Sequence, residues 1–116
     1  MTPVAELAGV QARLERALAE LYRWYGQTEA MLANVTRDAE VLPGLVGRGY
    51  AEMLVRLRDA LIPGWQAENA RARLLQAALG HAIHFRTWRS LVRDQGLDPA
   101  QAVGLMVDLV RSAAGR

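Results

Sequence analysis

From Leu7 onward the apolar residues return at alternating intervals of three and four, through Val10, Leu14, Leu18 and Leu21 to Tyr25. Only an α-helix, at about 3.6 residues per turn, gathers that set onto one stripe. The spacing therefore predicts a long amphipathic helix over roughly 3–25, with Thr2 as its cap and Pro3 at the first position, where a missing N–H costs nothing. Gly26 and Thr28 interrupt the pattern, and Thr28 can cap a second stretch that carries Met31, Leu32 and Val35 to about Ala39. Leu42-Pro43-Gly44 ends the region, and Gly44, Gly47 and Gly49 make the stretch to Tyr50 a loop or at most a short helical turn.

The rest of the chain repeats the same period. Met53, Leu54, Leu57, Leu61 and Ile62 form a helix from Ala51, which Pro63-Gly64 ends or kinks. Asn69 can cap the longest helix, running to about Asp94, with Gly96 just beyond it as a left-handed terminator. The last helix has the clearest start: Asp98 as cap, Pro99 at the first position and Gln101 three residues after the cap, in a capping-box arrangement ending near Ala113. With 116 residues, 52% of them hydrophobic, the chain has material for one core. Its abundant Ala, Leu and Arg favour helix over sheet. The expectation is an all-α, antiparallel helical bundle of about five helices forming a single domain over 1–116.

Two helices carry more apolar surface than one layer of neighbours covers. In the last helix the polar residues Gln101, Gly104, Asp108, Arg111 and Ser112 occupy a stripe only about 100° wide. The long helix shows one face with Leu74, Ala78, His81, Phe85, Trp88 and Val92 and another with Leu75, Leu79, Ala82 and Ile83. A homodimer is the simplest cover, with Leu75, Leu79, Ile83, Val103, Met106 and Val110 at its interface; the other reading makes both helices central in a monomeric bundle.

The polar and aromatic residues on these faces are the candidates for chemistry. His81, among Leu74, Phe85 and Trp88, either anchors a ligand in a cavity or is a core histidine satisfied by a carbonyl or an acid. Tyr22, Trp24 and Tyr25, with Met31, Met53 and Trp65 in reach, either line an aromatic cavity or simply pack a core. His81 and His84 lack the companion ligands of a metal site, and the chain has no cysteine, so no metal or cofactor is expected. No phosphate loop, dinucleotide fingerprint or paired catalytic carboxylate is present, and Ser90 and Ser112 have no histidine and acid at readable spacing, so no catalytic residue is assigned. Asp38 and Glu40 read as a solvated turn.

All 14 basic residues are arginines, and the net charge is only +2. They are spread over several helices and mixed with acids, the pattern of a solvated surface more than of a nucleic-acid footprint. The first residues lack the basic and apolar regions of a signal peptide, and charges interrupt every apolar run before a spanning length of about 18 residues. A cytoplasmic protein without membrane contact is expected.

Three stretches together resemble the C-terminal half of TetR-type transcriptional regulators. They are Leu21-Tyr22-Arg23-Trp24-Tyr25 continuing through Thr28-Glu29-Ala30-Met31-Leu32-Ala33-Asn34-Val35 to Arg37-Asp38-Ala39; the run from Ala77 to Leu91, with Gly80-His81-Ala82-Ile83-His84-Phe85-Arg86-Thr87-Trp88 at its centre; and Gly96-Leu97-Asp98 to Val110. The resemblance covers nearly the whole chain. It implies a helical domain that binds a small apolar or aromatic effector between its helices and dimerises through its last two long helices. On the matching stretches, it points to Tyr22, Tyr25, Met31, His81, Phe85 and Trp88 as effector-binding residues. Regulators of this type begin with a helix-turn-helix reader of about 50 residues. This sequence shows none, so it is either a fragment of a regulator or a free-standing effector domain, and no specific DNA binding by this chain alone is expected.

Overall fold

The computed structural model describes residues 4–41 and 45–116, and the side chains within these spans apart from those of 4–5, 35–41 and 45–47. The expected Thr2-Pro3 start and the Leu42-Pro43-Gly44 turn lie outside the described residues, as do the side chains of Val35, Asp38 and Glu40. Among the described residues the fold is all-α: α1 (Val4–Val41), α2 (Leu45–Leu61), α3 (Ala70–Ala82), α4 (Phe85–Arg89), a π turn (Ser90–Asp94) and α5 (Pro99–Ala114).

The opening periodicity produces α1, whose Leu14, Leu18, Tyr22 and Tyr25 are all buried. The interruption falls at Thr28, two residues beyond Gly26. Thr28 leaves helical geometry at φ −119°, ψ 17°, and its hydroxyl donates to the Trp24 carbonyl at 2.7 Å. A hydroxyl that bonds back one turn offers the backbone an alternative to its own ladder, and the helix kinks there. Where the glycines predicted a loop or at most a short helical turn up to Tyr50, α2 already runs continuously from Leu45.

The largest departure is in the helix expected over 69–94. It is three pieces: α3 stops at Ala82, His84 is extended at φ −76°, ψ 140°, α4 restarts at Phe85, and the final turn widens to π geometry. Asn69 sits in left-handed backbone (φ 55°) and makes no side-chain cap bond, so the expected cap is absent. The other end behaves as read. Gly96 has φ 75°, Asp98 Oδ1 accepts from the Gln101 N–H at 2.9 Å, and Gln101 Oε1 accepts from the Asp98 N–H at 3.1 Å.

The short connection from the π turn to α5 brings the start of α5 beside the end of α3. At the other end, Arg71 in the first turn of α3 donates to the Ser112 carbonyl at 3.0 Å, so the two helices run antiparallel. They make the most extensive helix pair of the fold, with α1 packed on the other flank of α5. Between them lies one apolar core that includes Leu75, Leu79, Ile83, Ala102, Val103, Met106, Val107 and Val110.

That core corrects the expected interface. Leu75, Leu79, Ile83, Val103, Met106 and Val110 are each at most 9% exposed within a single chain, so α1, α2, α3 and α5 cover one another without a partner. What α5 leaves in solvent is a wider arc than its polar stripe: Leu105 and Leu109 stand 47% and 41% exposed beside it, and Leu74 on α3 is 52% exposed.

The turn between α2 and α3 depends on Gly64, at φ 97°, where an added Cβ would run into the Val10 side chain. Left-handed strain and overpacking act together in Gly64→Ala, which should lower stability by about 1–3 kcal/mol. Urea unfolding with an unchanged slope and a reduced midpoint is the expected result; an unchanged midpoint would refute it.

Candidate functional site

A helix that stops in the middle of a protein leaves carbonyls without partners. At the end of α3 these are met by α1. Tyr22 Oη donates to the Ala82 carbonyl at 2.6 Å, and Tyr25 Oη donates to the Ile83 carbonyl at 2.5 Å. With its single hydrogen committed, Tyr25 accepts at 2.7 Å from the Tyr50 hydroxyl of α2, and Tyr50 Oη in turn accepts the Phe85 N–H at 3.2 Å. Three tyrosines from two helices thus hold the break closed. Burial raises the Tyr22 and Tyr25 phenols far above their ordinary pKa. The clamp therefore stays neutral at any physiological pH.

Around the clamp lies an aromatic cluster. Tyr25 meets Phe85 edge-on at 5.4 Å between ring centroids, and Phe85 stacks on Trp88 at 5.7 Å. The Arg93 guanidinium stands 5.2 Å over the Trp88 ring and grips the Glu29 carboxylate with contacts of 2.8 to 3.1 Å, tying the π turn to α1 just beyond its kink. The indole N–H of Trp88 is buried and has no acceptor among the described residues.

These contacts correct part of the expected effector site. Tyr22, Tyr25, Phe85 and Trp88 do come together, but each is at most 2% exposed and they pack on one another as part of the core. Met31 is 52% exposed and takes no part. His81 is exposed as well. It was placed among Phe85 and Trp88 on the premise of one continuous helix; the break at Ile83-His84 resets the helical phase and turns His81 outward.

The exposed side of the break is a groove of about 390 Å³, lined by Gly80, His81, His84, Arg86, Thr87, Ser90 and Leu91. His84 Nδ1 accepts the Arg86 N–H at 3.0 Å and so caps α4. Thr87, only 6% exposed, has its hydroxyl 3.3 Å from His81 Nδ1. A wider groove of about 580 Å³ between α1 and α5 has a floor of Ala19, Pro99, Ala100, Val103 and Gly104, with charge only from Glu15 and Arg23. It offers shape but little chemistry. Among the described residues no group of three metal-ligating side chains assembles, and no helix is long and apolar enough to cross a membrane.

His84 was read only as half of a metal pair, yet it is the residue that shapes this groove. Its ring is held below the ordinary imidazole pKa, first by burial and then by the neighbouring positive charges of Arg86 and His81. In the unfolded chain it takes up a proton near pH 6.5, in the fold only at lower pH. Its stabilising contribution is therefore complete above about 6.5 and is lost as pH falls toward the folded value. His84→Asn keeps an acceptor for the Arg86 N–H and does not titrate. Between about pH 7.5 and 5.5 its melting temperature should fall less than that of the unmodified chain, and parallel curves would refute the assignment.

Comparison with protein-family models, with curated proteins and with solved structures finds no match.

Proposed function

We propose that the chain is the small-molecule effector-binding and dimerisation domain of a TetR-like transcriptional regulator, which does not by itself read a DNA sequence. The observation that carries this reading is the interrupted helix: α3 breaks at a solvent-open groove, and the break is held on its inner side by the Tyr22, Tyr25 and Tyr50 clamp. A ligand in the groove touches α3, α4 and the π turn at once, and any shift of α4 is felt by α1 through the clamp and through the Glu29–Arg93 pair. That is the two-state element an effector needs in order to bias a distant partner.

For assembly, the support lies on the exposed sides of α3 and α5. Leu74 is the i+3 neighbour of Arg71, and Leu109 is the i−3 neighbour of Ser112, the two residues that join these helices; Leu105 lies one further turn along. The three exposed leucines thus flank one seam. A panel of aromatic and apolar molecules screened by melting temperature, together with sedimentation equilibrium, tests the reading. A dimer at micromolar concentration and at least one stabilising compound are expected. A monomer that no compound stabilises would overturn it.

A further inference from the structure

The groove between α1 and α5, about 580 Å³ in volume, lies apart from the α3 break. Its wall on α1 is Glu15, Ala19 and Arg23, each one helical turn from the next, so the two charged residues stand about 12 Å apart along the axis with Ala19 midway. Both charges are exposed. Glu15 accepts one hydrogen bond, from Gln11 Nε2 at 3.0 Å, and Arg23 has no hydrogen bond or ion pair among the described residues. Charges that are opposite about a midpoint are complementary to their own copy once it is reversed. With a second α1 antiparallel to the first about a two-fold axis at Ala19, Glu15 of each copy faces Arg23 of the other. Ala12 then faces Gly26, both exposed, so no bulky side chain holds the helices apart. A parallel helix in the same register would set like charge against like.

We infer that this groove seats α1 of a second copy of the chain, with two Glu15–Arg23 pairs across a two-fold axis at Ala19 and the α1 helices at the centre of the contact. The surface is distinct from the leucine seam, because α1 and α3 pack on different flanks of α5. Both can be occupied at once, and two different two-fold contacts on one chain carry dimers into tetramers. The groove contact is the weaker of the two. Alanine and glycine bury little area and exposed ion pairs add little, which makes it a transient association that fills at roughly hundreds of micromolar.

Sedimentation equilibrium of the full chain from micromolar concentration to about 1 mM tests this, with a step from dimer to tetramer expected at the upper end. Glu15→Arg and Arg23→Glu each set like charges together at two places, and either alone should weaken the step at least about tenfold. An equal mixture of the two variants puts opposite charges back at both places and should restore it. An added Cβ at Gly104, on the α5 wall, meets nothing within 4 Å. Gly104→Gln therefore fills the groove without disturbing the single chain: the melting temperature at micromolar concentration should not fall, and the step should vanish. A groove that takes a small molecule or a foreign helix instead shows no step up to about 1 mM, which overturns the inference. A mixture no better than its components, or a tetramer in Gly104→Gln, overturns it as well. Failure of the leucine seam is read separately, since the same variants then act on a step from monomer to dimer.

Discussion

The double variant Tyr22→Phe with Tyr25→Phe should be the most damaging change of two atoms in this fold. Both rings keep their packing, so no cavity forms, and only two hydroxyls are lost. What remains is a pair of buried carbonyls, Ala82 and Ile83, whose acceptors water cannot reach and no other donor fills. Leaving a buried acceptor unsatisfied costs about 1–3 kcal/mol. The second change also strips Tyr50 of the oxygen to which it donates, so the loss extends to the contact with Phe85. The expected destabilisation is about 2–5 kcal/mol, against a total of about 5–15 kcal/mol for a domain of this kind. Because the two rings are neighbours, at 6.3 Å between centroids, the single variants should not sum to the double. Chemical denaturation of the three variants measures this. A double variant within about 0.5 kcal/mol of the unmodified chain would show that the break is held by packing alone.

The same clamp explains how much of the molecule was legible beforehand. Apolar spacing located the helices apart from the first turns of α2, and the capping box at Asp98 and Gln101 was readable because its geometry is local: the side chain, the N–H it caps and the returning glutamine lie within four residues. The break at Ile83-His84 was not readable in that way. Nothing in Gly80-His81-Ala82-Ile83-His84-Phe85 forbids a helix, and the carbonyls freed there find their donors about 60 residues away in sequence, on α1. One signal did exist. Tyr22 and Tyr25 lie on the apolar stripe of α1, and a buried phenol needs a partner for its hydroxyl. Two of them on one face therefore announced a helix end, or another source of unpaired carbonyls, against that face. The misplacement of His81, Phe85 and Trp88 on one stripe followed from the same omission, since a helical wheel drawn through a break assigns the wrong phase to everything beyond it.

Assembly turns on which apolar residues one chain covers for itself. Val110, fully buried, is not a residue whose substitution reports on a partner: Val110→Arg places an unpaired charge inside the core and should unfold the chain, at a cost of several kcal/mol. Leu105 and Leu109 are different. Each is already 40% or more exposed in the single chain, at 47% and 41%, so glutamate at either position meets water in the monomer and should change its stability by no more than about 0.5 kcal/mol. In a two-fold dimer built on this seam each change appears twice, and the two new charges approach their own copies. A stable interface of that kind needs about 1,200 Å² or more of total buried surface, with an apolar centre. The expected result is that the unmodified chain sediments as a dimer at micromolar concentration, while Leu105→Glu with Leu109→Glu sediments as a folded monomer with an unchanged helical spectrum. The effect on the association constant should exceed about a hundredfold, because desolvating two unpaired charges costs more than 2.7 kcal/mol. A double variant that remains dimeric would place the contact elsewhere on the molecule, and an unmodified chain that is monomeric at tens of micromolar would remove it altogether.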